Sequence, residues 1–179
     1  MAVITNQILM EIDDVQELVD FLSENFFKKD NLNLCWKKDI DEYIKITVSI
    51  IKFDIHNYSN SLFFTENNPY RSFRSFSDEE KEWIINAFEK IGNKEIADLL
   101  KLLFDLTMEL IKPILGNLDP WEYVKNIEYY KKLLEPEWEE HMRKYSRFRK
   151  LKSDFEKLYD SENILKNVKN YIKTQRKDL

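Results

Sequence analysis

Two glycines, one cysteine, two histidines and four prolines are few for 179 residues, and each shortage excludes something. Both GxGxxG and GxxxxGK need glycines at close spacing, whereas Gly92 and Gly116 stand far apart, so Rossmann and P-loop nucleotide sites are ruled out. A lone thiol, Cys35, cannot close an internal disulfide, and without neighbouring Cys or His it cannot build a zinc site. That usage fits a reducing, cytoplasmic setting. Residues 1–10 lack the basic start and small-residue cleavage site of a signal peptide, and Glu11, Asp13 and Asp14 follow directly. No long apolar run is present either. The greasiest stretch, Ile96 to Ile111, is interrupted by Asp98, Lys101, Asp105 and Glu109, short of the roughly 20 apolar residues a membrane span requires.

Catalytic and metal chemistry find little material. His56 and His141 are the only imidazoles, no GxSxG elbow exists, and Glu137, Glu140 and His141 miss the Glu-x-x-His spacing of di-iron bundles. The expectation is a non-enzymatic chain with no catalytic residues, no metal and no cofactor.

What is abundant is Lys, Glu, Leu and Ile: 43% of residues are hydrophobic, 34% charged and 14% aromatic. A single domain over residues 1–179 can bury roughly 70% of its unfolded surface, and the low Gly and Pro content favours helices. The spacing predicts an all-α domain of six or seven helices. The first starts at Asp13 or Asp14, ends near Lys28 and Lys29, and buries Val15, Leu18, Val19, Leu22 and Phe26. Residues 39–64 are ambiguous. Ile44, Ile46, Val48 and Ile50 alternate like a strand, while Ile40, Ile44, Val48, Ile51 and Ile55 recur at helical spacing; length decides for a buried helix.

A loop over 65–76 precedes Ser77-Asp-Glu-Glu80, a capping box opening a helix that Gly92 ends. Lys94 to Lys112 is the most hydrophobic helix, with Leu102, Phe104, Leu106 and Met108 widening its apolar arc, and is expected at the domain centre. Asp119-Pro120 opens the next helix, to about Leu134. One from Glu137 to Leu158 turns Tyr145, Phe148, Leu151, Phe155 and Leu158 inward. Ser161 caps the last, whose stripe is Ile164, Leu165, Val168, Tyr171 and Ile172.

The order of elements resembles a bacterial family of mostly uncharacterised helical proteins that includes a DNA mimic. Its central Asn-Gly-Gly-Phe-x-Gln-Phe/Tyr-Phe signature corresponds to Asn57-Tyr-Ser-Asn-Ser-Leu-Phe63-Phe64, with Tyr58 and Ser59 in place of the glycines and Leu62 in place of the glutamine. A helix ending Ile91-Gly92, an Ala- and Leu-bearing helix from Ala97, and Asn170-Tyr171-Ile172 complete the likeness, over about residues 40–175. The resemblance implies a compact helical fold, structural roles for Asn57, Phe63, Phe64 and Gly92, a homodimer, and a non-catalytic protein that binds other proteins, at least one member of the family doing so by presenting carboxylates in place of DNA phosphates.

Charge is uneven along the chain. Residues 1–120 hold 13 Lys and Arg against 22 Asp and Glu, a balance of -9, and residues 121–179 hold 15 against 11, a balance of +4. Asp13, Glu17, Asp20 and Glu24 follow steps of four, three and four, which puts them on one helical face. Carboxylates about 5–6 Å apart can oppose a basic groove that normally holds phosphates, though a solvated amphipathic face has the same pattern. A basic protein is therefore the expected partner: a DNA-binding regulator, as the family resemblance implies, or a nuclease occluded by an antitoxin or immunity-type protein.

The run Arg143 to Lys152 carries six cations with Tyr145 and Phe148 between them. Arg143, Arg147, Arg149 and Lys150 are candidate nucleic-acid contacts, or a solvated rim above inward aromatics, and a pI near 5.3 disfavours nucleic acid. Arg71 and Arg74 alternate with aromatics in Tyr70 to Phe76, which could grip an anion or pin the loop to the core.

Overall fold

The computed structural model describes residues 11–12, 14–25, 41–53, 77–112 and 127–177. These form seven helices and, among the described residues, no strand: α1 (Val15–Asn25), α2 (Glu42–Phe53), α3 (Asp78–Lys90), α4 (Lys94–Ile111), α5 (Ile127–Leu133), α6 (Trp138–Ser161) and α7 (Ile164–Lys177). The all-α reading holds. Among the described residues no helix is long and apolar enough to cross a membrane. Expectations on Cys35, His56, the loop 65–76, Gly116, Asp119-Pro120 and the ends of the first two predicted helices lie outside the described residues.

Local chemistry explains the helix ends. Asp14 caps α1, its Oδ1 accepting from the Glu17 N–H at 2.9 Å and its carbonyl from the Leu18 N–H at 2.9 Å. The capping box forms at α3: the Glu80 N–H donates to Ser77 Oγ at 3.2 Å and the Ser77 N–H to Glu80 Oε2 at 2.8 Å. At the other end Gly92 takes φ 89°, and the N–H groups of Gly92 and Asn93 donate to the carbonyls of Glu89 and Phe88. That pair of bonds is a Schellman motif, which favours glycine because a side chain strains at positive φ.

Strand-like alternation in α2 has a simple cause: the helix is buried on nearly every side. Tyr43, Ile44, Ile46, Thr47, Val48, Ser49, Ile50, Ile51 and Phe53 are all buried, so no polar face marks a helical period. The buried Thr47 and Ser49 hydroxyls are satisfied within the helix, Thr47 Oγ1 donating to the Tyr43 carbonyl at 2.8 Å and Ser49 Oγ to that of Lys45 at 2.9 Å. α2 packs against α1, α3 and α7. It therefore takes the central place expected of α4, whose outer face is exposed at Glu95, Asp98, Lys101, Leu102, Asp105 and Glu109. Leu102, read as core, is an exposed hydrophobe at 42%.

One hydrophobic cluster draws on α1, α2, α3, α4, α6 and α7. Phe53 of α2 sits at its aromatic centre, with ring centroids 5.3 Å from Phe88 of α3, and 6.0 and 5.9 Å from Phe155 and Tyr159 of α6. A polar tie joins the α3–α4 turn to the junction and first turn of α6 and α7. Buried Asn93, between α3 and α4, donates to Glu162 Oε2 at 3.0 Å and accepts from Asn167 Nδ2 at 3.0 Å.

Two further expectations are corrected at the α6–α7 junction. α6 continues to Ser161, whose hydroxyl donates to the Leu158 carbonyl at 2.8 Å, and Asn163 caps α7 by accepting from the Lys166 N–H at 3.0 Å. Leu165, read as packing, is 46% exposed; Val168 and Ile172 carry the buried stripe. The inward face expected of α6 forms, with Phe148 and Phe155 buried and Tyr145, Leu151 and Leu158 partly buried against the core, and it is wider than expected because His141, Lys152 and Tyr159 are buried as well.

Candidate interaction surface

The inward face of α1 is Val15, Leu18, Val19 and Leu22, which leaves Glu17, Asp20 and Glu24 on the opposite side, all exposed. Asp13, the first acid of the predicted stripe, lies outside the described residues. No Lys or Arg occurs in α1, and no ion pair to Glu17, Asp20 or Glu24 is seen among the described residues. Gln16 Nε2 donates to Asp20 Oδ1 at 2.7 Å, which orders that carboxylate without neutralising it. Like charges one turn apart cost about 0.2–0.5 kcal/mol per pair, so the row is carried against its own repulsion.

The other acidic helices are built differently. In α3, Asp78 holds the buried Lys81 at 2.9 Å, and this ammonium lowers the Asp78 pKa by hydrogen bond and charge. Lys81 also lies 6.0 Å from the Phe104 ring centroid, a cation–π placement that helps a lysine stay inside. Glu109 of α4 pairs with Lys144 of α6 at 3.1 Å, and Lys90 lies 3.8 Å from Glu42. Acids on these helices are thus interleaved with cations, and among the described helices only α1 presents carboxylates alone.

The basic run on α6 divides in the structure. Arg143 pairs with Glu140 and Lys144 with Glu109, while Arg147, Arg149 and Lys150 are exposed and show no ion pair among the described residues. Lys152, expected on the solvated rim, is buried and bonds Glu156 Oε1 at 2.8 Å. Ser146, Arg149, Lys150, Lys152, Ser153 and Glu156, all on α6, are the described residues beside a surface groove. The helix α7 is expected from the sequence but its charge is not singled out there: it carries Lys166, Lys169, Lys173, Arg176 and Lys177 and no acid.

His141 is buried with its ring stacked on Trp138, centroids 5.8 Å apart. Burial, with the Lys144 ammonium nearby, holds its pKa below the usual 6.5, which makes it a neutral core residue at neutral pH. Tyr171 is shifted up by burial and by Glu42. Among the described residues no group of His, Cys, Asp and Glu is placed to hold a metal ion. Of the residues tied to the family resemblance, Gly92 is the α3 stop, and Asn57, Phe63 and Phe64 lie outside the described residues. No family model, no curated protein and no solved structure matches the chain.

Proposed function

We propose that the chain is a non-enzymatic protein-interaction domain that offers the acidic face of α1 to a basic partner. The observation that carries this reading is the exposure of Glu17, Asp20 and Glu24 on a helix without a single cation. A partner with a phosphate-binding groove supplies the missing positive charge, and the mutual repulsion of the carboxylates is relieved on contact. A DNA-binding regulator is the partner class that the family resemblance implies, with the chain acting as a homodimeric mimic of the DNA backbone. A nuclease occluded by an antitoxin or immunity-type protein would use the same chemistry.

The test is affinity capture from the native cell with the wild type and with a Glu17→Gln/Asp20→Asn/Glu24→Gln variant. The reading predicts a basic protein retained by the wild type and lost from the variant. Equal recovery by both would remove α1 from the interaction.

A further inference from the structure

The two helices of unmixed charge are neighbours. α1 and α7 pack against each other, and both pack on α2. α1 has no Lys or Arg and turns Glu17, Asp20 and Glu24 outward. α7 has no Asp or Glu, and its Lys166, Lys169 and Lys173 follow steps of three and four on one face, with Lys166 and Lys173 exposed and Lys169 half-buried. Leu165, 46% exposed, lies one turn before Lys169 at the edge of that face. Among the described residues no ion pair joins the two helices or engages any of these six charged side chains. An acidic face and a basic face therefore border one another on one side of the domain.

We propose that this side of the domain binds a second copy of the chain, with α1 of each protomer set against α7 of the other. A two-fold axis passing between the helices lays each acidic face on the other copy's basic face, so the patch is self-complementary and the assembly closes at two copies. Setting α1 on α1 would oppose like charges, which excludes that register. Leu165 adds apolar contact at the edge of the patch. Pairs of exposed charges are individually weak and are screened by salt, so the dimer is reversible and salt-sensitive. It differs from the homodimeric mimic above, because it hides the carboxylates of α1 instead of offering them. Its consequence rests on the reading of α1 as the partner surface: a basic protein has to displace the second copy, and self-association regulates access to that surface.

Sedimentation velocity over a concentration series tests the dimer without any partner. The expected result is a monomer–dimer equilibrium at low salt that weakens at least about tenfold at 0.5 M salt, and at least about tenfold in Lys166→Gln/Lys173→Gln. Charge reversal gives the sharper arm. Glu17→Lys/Asp20→Lys/Glu24→Lys and Lys166→Glu/Lys173→Glu should each be monomeric alone and should form a dimer when mixed, because mixing restores opposite charges at both contacts. These positions are exposed, so each variant keeps its helical circular dichroism. A wild type monomeric at every concentration, a dimer indifferent to salt and to both reversals, no dimer on mixing, or growth beyond two copies overturns the proposal. Lys166→Gln/Lys173→Gln leaves α1 intact, so a monomeric wild type that captures a basic protein overturns the dimer alone. A dimer that behaves as expected while no basic protein is captured supports the dimer and counts against the reading of α1.

Discussion

Replacing Phe53 perturbs the place where three helices meet. Its side chain is 1% exposed and its ring approaches Phe88, Phe155 and Tyr159 at 5.3, 6.0 and 5.9 Å. Truncation to Ala removes the transfer energy of the ring and leaves a cavity between α2, α3 and α6, a loss of about 3–5 kcal/mol. Phe53→Leu keeps most of the apolar volume and loses the edge-on ring contacts, so about 1–3 kcal/mol is expected. Urea unfolding followed by far-UV circular dichroism reads both values. The 86° interplanar angle to Phe88 makes that pair the most clearly edge-to-face, and a double-mutant cycle between the two should return a coupling of about 0.5–1.5 kcal/mol. A Phe53→Ala loss under about 1.5 kcal/mol, or no coupling to Phe88, would refute this account of the core.

Other outcomes follow from single sites. Asn93→Leu removes a side chain that both donates to Glu162 and accepts from Asn167, and should lower stability by about 1–3 kcal/mol in the same urea assay. Ser77→Ala deletes one half of the capping box and should cost about 1 kcal/mol, with Gly92→Ala costing a similar amount at φ 89°. Because the folded pKa of His141 is depressed, the unfolded chain takes up its proton first as pH falls below 6.5. Stability from this group is complete above that pH, is lost on acidification down to the folded pKa, and is flat below it; thermal melts of His141→Gln should show a shallower fall across that window than the wild type.

Where the determinants were local, the sequence was readable. The Ser77 to Glu80 box and the Gly92 stop depend on residues within one turn, and both form as their spacing predicts. The α1 face was equally legible, because a helix half buried and half solvated shows its period directly. α2 was not, since burial all round erased that period and left only the strand-like look of its β-branched residues. Lys152 illustrates a different failure. A lysine scores as surface in any pattern, yet here Glu156 holds its ammonium while the stem is covered, which adds a cation to the buried face of α6 that no motif announces. Leu102 and Leu165 failed in the opposite sense, for an apolar residue can face water when its neighbours supply enough of the core.

The central claim is that carboxylates on α1 engage a basic partner by charge. Its most direct measurement is the salt dependence of the dissociation constant of the captured complex, for the wild type and for Glu17→Gln/Asp20→Asn/Glu24→Gln. Screening shortens from about 10 Å at 0.1 M salt to about 3 Å at 1 M, so the wild-type complex should weaken steeply while the variant binds poorly and responds little. The variant also loses two like-charge pairs and should be no less stable than the wild type, which keeps unfolding from imitating the result. Equal affinities and equal salt slopes for the two chains would contradict the account.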